Sequence, residues 1–123
     1  MTPGDVRLVA RTSPGSERGG GPGGFAWDIY AGDEIAGEVF INLAEKGQHA
    51  GQPFLEIYIN RKNQGRKIGR LAYRLAVEQS FYNTVFAIMR KSNIASWRAA
   101  EEAGFVDDTS PGATQKAMVW RRG

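Results

Sequence analysis

Residues 53–80 read PFLEIYINRKNQGRKIGRLAYRLAVEQS, and the hydrophobic period changes within this one stretch. Pro53 opens the run Phe54-Leu55-Glu56-Ile57-Tyr58-Ile59-Asn60, dense in β-branched and aromatic residues, which predicts a strand. After it, Ile68, Leu71, Ala72, Leu75 and Ala76 recur at helical spacing, with Arg66, Arg70, Arg74 and Glu78 opposite them, which predicts a helix from about Arg66 to Ser80. Across the junction lie Arg61, Lys62, Arg66, Lys67, Arg70 and Arg74, with no acid among them. A helix start leaves backbone amides free, Gly65 and Gly69 permit close approach, and arginine forks onto phosphate oxygens. The junction therefore reads as a site for a phosphate or pyrophosphate; a solvated basic face or a nucleic-acid patch is the competing reading.

The elements on either side complete an α+β pattern. Upstream, Val6, Leu8 and Ala10 alternate with Arg7, Val9 and Arg11 as in a short edge strand. Residues 12–24, TSPGSERGGGPGG, offer no apolar anchor and read as a flexible Gly-rich loop. Phe25, Trp27, Ile29 and Ala31 share one face of a strand, Gly32-Asp33-Glu34 makes a turn, and Ile35, Gly37, Val39, Ile41 and Leu43 alternate again, predicting a hairpin over 25–43. Downstream, the apolar run Thr84 to Met89 suits a buried central strand. Ser92 or Asn93 caps a second helix that Gly104 ends, and Ala117 to Trp120 forms a last strand.

The composition narrows the chemistry. A chain of 123 residues with 41% hydrophobic residues and a net charge of +3 predicts one domain over 1–123. Without cysteine there is no disulfide, thiolate metal site or cysteine nucleophile, and the single histidine, His49, argues against a His-rich zinc site, so no metal is expected. His49 falls in the polar loop 44–52, where a solvated ring is the plain reading. No apolar run approaches the roughly 20 residues of a membrane span. The start Met1-Thr2-Pro3-Gly4-Asp5 has no leader pattern, so a soluble, cytoplasmic protein with no membrane partner is expected.

The segment around Gln64-Gly65-Arg66-Lys67-Ile68-Gly69-Arg70 resembles motif A of the GNAT superfamily, the acetyl-CoA-dependent N-acetyltransferases, whose loop reads Q/R-x-x-G-x-G/A between the fourth strand and a long helix. Gln64, Ile68 and Gly69 fit it, whereas Lys67 stands at the middle glycine position. Residues 93–105, NIASWRAAEEAGF, are similar to a second signature of that family, an Asn-capped helix ending in Gly-Phe, and the hairpin with Gly37 fits the strand pair before the motif.

The resemblance implies a mixed, mainly antiparallel sheet flanked by two main helices, with the family's usual first helices replaced by the Gly-rich loop. It implies acetyl-CoA or another acyl-CoA as co-substrate and direct transfer to a primary amine of a small molecule or peptide. Ile57 and Ile59 would offer backbone groups to the pantetheine arm and thioester. Gln64, Gly65, Arg66, Lys67, Ile68, Gly69 and Arg70 would hold the pyrophosphate, and Asn93 would reach it from the second helix. Glu56 is the one carboxylate on the fourth strand; partly buried, it would have a raised pKa and serve as base. The tyrosine that many members carry seven residues after the asparagine is Ala100 here, which leaves Tyr58 and Tyr82 as substitute proton donors. The alternatives are a GNAT-fold module that binds CoA or a partner without catalysis, and a GNAT-fold protein acting on nucleic acid. With no helices to wall the acceptor side, that side is expected to be open or completed by a second copy in a homodimer.

Overall fold

A computed structural model describes residues 5–123; the leader reading at residues 1–4 lies outside them. Seven strands form one sheet: β1 (Val6–Ala10), β2 (Phe25–Ala31), β3 (Glu34–Leu43), β4 (Pro53–Ile59), β5 (Thr84–Arg90), β6 (Val106–Asp107) and β7 (Gln115–Arg121). Helix α1 (Ile68–Gln79) follows β4, and α2 (Ile94–Glu102) follows β5. The order across the sheet is β1-β2-β3-β4-β5-β7-β6, and the pairings are antiparallel except that of β4 with β5. This is the mixed, mainly antiparallel sheet with two main helices that the sequence predicts, with α1 as the crossover between its two parallel strands.

The alternation of β1 to β4 sorts side chains onto two faces. Val6, Trp27, Ile29, Val39, Ile41 and Leu55 pack under α1, where Ile68, Leu71, Ala72, Ala76 and Val77 supply the facing stripe, and Ala100, Ala103 and Phe105 extend the same core beneath α2. Both helices cover this face. The other face carries no α-helix among the described residues, only the short 3-10 turn Ser16–Arg18, and it presents Glu38, Phe40, Glu56, Tyr58 and Phe86. No helix among the described residues is long and apolar enough to cross a membrane.

Two expectations change. Helix α1 begins at Ile68 rather than at Arg66, because Lys67 takes the left-handed region (φ 60°) and breaks the helical run. The Gly-rich segment, expected to lack an anchor, is held by polar ones. Asn42 on β3 accepts from the Gly19 amide (2.8 Å) and donates to the Glu17 carbonyl (2.7 Å), Arg18 pairs with Glu38, and Tyr82 Oη donates to the Gly23 carbonyl.

Candidate active site

The hydrogen-bond phase of β4 decides what the sheet offers. Asn60 N donates to the Ala36 carbonyl at 2.7 Å, which makes Ala36 and Asn60 a hydrogen-bonded pair. In an antiparallel ladder such pairs alternate, so Tyr58 and Glu56 bond to β3, whereas Leu55, Ile57 and Ile59 turn their amides and carbonyls toward β5. Strand β5 meets β4 at a single register pair, Phe54 with Phe86, and the two strands then splay. The Ile59 carbonyl accepts from Gln64 Nε2 at 3.1 Å. Beyond Phe54–Phe86 no register pair links β4 to β5, so the Ile57 amide and carbonyl face the gap without a ladder partner.

The gap opens into a cleft of about 610 Å³ between β4, the loop after it, and the starts of both helices. The cleft brings together Ile57, Tyr58, Ile59, Gln64, Gly65, Lys67, Ile68, Gly69, Arg70 and Asn93 of the sequence-predicted set. Two predicted residues stand apart. Arg66 does not line the cleft; its Nη1 donates to Asn63 Oδ1 at 2.7 Å, so the basic block is not one continuous patch. Of its six members only Lys67 and Arg70 line the cleft, and Arg98 from α2 joins them. Glu56 lies on the opposite sheet face and is exposed, which corrects the expected partial burial: its neighbours on that face do not cover it.

At the helix start the backbone itself is the feature. The first amides of α1 have no partner within the helix, and Lys67 at the cap position supplies no side-chain hydrogen bond. Gly65 has φ 79° and empty space where a Cβ would stand, while a Cβ at Gly69 would make an ordinary 3.4 Å contact with Ala99. Lys67 holds a glycine-like backbone without being glycine, so the loop keeps its course at the position where the sequence departs from the resemblance. Arg70 Nε is buried, lies 3.9 Å from Glu102 Oε2 and makes no hydrogen bond.

Side chains on the walls come from both helices. Asn93 caps α2 by accepting from Ser96 N at 3.3 Å, which leaves its amide nitrogen to the cleft. Tyr73, unread in the sequence, is buried with its hydroxyl 2.8 Å from Ser96 Oγ, and burial raises its pKa to about 12. Tyr58 Oη donates to Glu56 Oε1 at 3.3 Å, and the Glu56 charge, followed by desolvation, raises the phenol's pKa. Tyr82, the other substitute donor, is committed to Gly23 and packs with Phe25 and Phe81, away from the cleft. His49 is not the solvated ring expected but half-buried, its centroid 4.7 Å from that of Phe86.

A parallel strand pair splayed beside a glycine-bearing helix start leaves a strand edge in line with free helix amides, the kind of place where an anion can bind. Residues 5–106 match the acetyltransferase (GNAT) domain, and the chain belongs to that family. No curated protein matches it. Solved structures that resemble it include the aminoglycoside acetyltransferase AAC(6')-Ib in complex with coenzyme A and kanamycin, at 21% identity and TM-score 0.66, with 81% of this chain and 67% of that chain covered. The microcin self immunity acetyltransferase MccE in complex with acetyl-CoA and AMP matches at 15% identity and TM-score 0.63, covering 80% of this chain and 61% of that chain. A spermidine N-acetyltransferase SpeG chimera from Vibrio cholerae and hSSAT matches at 18% identity and TM-score 0.64, covering 82% of this chain and 68% of that one. At these identities the likeness shows the fold, and the chain spans about two thirds or less of its neighbours' length.

Proposed function

We propose that this domain binds acetyl-CoA or another acyl-CoA in the β4–β5 cleft and transfers the acyl group directly to a primary amine. The observation that carries the reading is the unpaired Ile57 backbone in line with a free helix start. An amide-bearing arm can hydrogen-bond to Ile57 as a surrogate strand while its diphosphate lies on the amides of Gly65 to Arg70. Lys67, Arg70 and Arg98 supply positive charge there, and Asn93 a side-chain donor. The neighbours crystallised with coenzyme A or acetyl-CoA support the same ligand.

In the reaction the amine nitrogen attacks the thioester carbonyl, a C–N bond forms, and the C–S bond breaks. Glu56 takes the proton the amine loses, and the Tyr58 phenol, kept protonated by the neighbouring carboxylate, returns one to the leaving sulfur, so the products are an amide and free CoA thiol. With no cysteine in the chain, the acyl group passes without a cysteine-linked intermediate. Positioning the two reactants supplies a large part of the acceleration. Ala100 in place of the tyrosine of many relatives favours the second reading, a CoA-binding module without transfer.

Calorimetric titration with CoA and acetyl-CoA tests the site, and absence of binding at millimolar ligand overturns it. Thiol release with a panel of amines separates the two readings: E56Q slows release by about a hundredfold when Glu56 is the base. An unchanged rate in that variant removes Glu56 from the reaction.

A further inference from the structure

The face of the sheet that carries no α-helix is not flat. The β3–β4 loop and the loop between β6 and β7 rise from it and enclose a second hollow, of about 430 Å³. That volume lies within the range of small-molecule sites. Its floor is aromatic: Phe54 and Phe86 stack with centroids 5.3 Å apart, and His49 leans over them at 6.1 and 4.7 Å. Asp108 is the one charged side chain among the lining residues, and no cation pairs with it among the described residues.

The position matters as much as the lining. Phe54 and Phe86 are the single pair at which β4 and β5 still meet, so this hollow lies at the apex of the wedge whose other side is the acyl-CoA cleft. Glu56 is on the same face as Phe54 and two residues further along β4, about 7 Å away. The two hollows thus approach one sheet breach from opposite faces.

We infer that this second hollow is the acceptor site and that it takes a small alkyl diamine, a substrate class that rests on the acyltransferase reading above. An unpaired carboxylate beside aromatic faces complements an ammonium group, through charge attraction and cation–π contact, and repels an anionic end. The nitrogen that attacks a thioester must be neutral, so the cation held by Asp108 is a second one. One amino group stays charged at Asp108 while the other, neutral, meets the carbonyl through the breach and gives Glu56 the proton it sheds on attack.

Because His49 is the only histidine, its ring resonances report on this hollow without ambiguity. Titration with 1,4-diaminobutane shifts them saturably, 4-aminobutanoate does not, and D108N weakens the diamine response by at least about tenfold. In acetyl-CoA turnover D108N raises KM for 1,4-diaminobutane by a similar factor and leaves kcat and the calorimetric affinity for CoA unchanged. His49 resonances unmoved by millimolar diamine, or moved equally in D108N, overturn the inference while CoA binding stands. Loss of CoA binding in the wild-type protein overturns the acyltransferase reading, and the His49 titration still reports on the hollow.

Discussion

Two glycine-rich stretches of this chain look alike in composition and are opposite in use. In residues 19–24 every glycine but Gly21 is needed by the protein's own packing: a Cβ at Gly19 would lie 2.1 Å from the Phe25 carbonyl oxygen, one at Gly20 2.2 Å from that of Pro14, and one at Gly24 2.4 Å from that of Gly19. In the loop before α1, a Cβ at Gly65 would meet nothing within 4 Å. The first loop closes on itself, and the second keeps space clear beside free amides.

The strongest way to break that contrast is G19A. It forces a side chain onto a carbonyl at φ 92°, and overpacking plus left-handed strain cost about 3 kcal/mol, a fall of roughly 10 °C or more in Tm by thermal melting. Unchanged stability means the first loop is not packed as described. G65A comes next. Its φ of 79° costs about 1 kcal/mol, but its main effect is on CoA affinity, expected to fall about tenfold by calorimetry. An affinity equal to wild type reduces Gly65 to a conformational role and collapses the contrast.

A smaller effect is expected at Lys67, which holds φ 60° with a side chain. K67G relieves left-handed strain, part of which is offset by the greater chain entropy of the unfolded state, for a net stabilisation of about 0.5 kcal/mol in urea unfolding. Destabilisation in that variant shows that the lysine side chain makes a contact worth more than the strain.

The smallest effect concerns a third loop, 108–114, which is anchored by polar groups as the first is. Asp107 accepts from the hydroxyl and the amide of Thr109 and from Lys116, and these hydrogen bonds lower its pKa from the usual carboxylate value to about 2. A depressed folded pKa means that its contribution is present above about pH 4 and is lost as pH falls through about 2. Carboxyl NMR titration places the midpoint, and a midpoint near the ordinary value removes the anchor.

Local pattern carried most of the fold. Period-two runs located β2 to β4, helical spacing located α1, and the Asn93 cap and Gly104 bounded α2, because each signal is written within a few residues. What the sequence hid is nonlocal. The anchors of the Gly-rich loop are Asn42, Glu38 and Tyr82, up to 59 positions away, and composition read without them says only that no apolar anchor is present. Tyr73 went unread because the group that meets its hydroxyl, Ser96, lies 23 residues on. Counting charge likewise gathered Arg66 into the phosphate site, whereas its partner Asn63, three residues earlier, holds it outside the cleft. The phase that frees Ile57 follows from one interstrand bond that no periodicity reveals.

The lone Phe54–Phe86 register pair has a mechanical consequence. Backbone hydrogen bonding joins the two halves of the sheet, β1 to β4 and β5 to β7, at that pair alone, and what holds them together elsewhere is side-chain packing against the helices. Ladders fix the angle between strands, whereas packing is nondirectional and tolerates small rotations. Only that one pair ties the halves through the backbone, so side-chain packing against the helices sets the angle of the wedge.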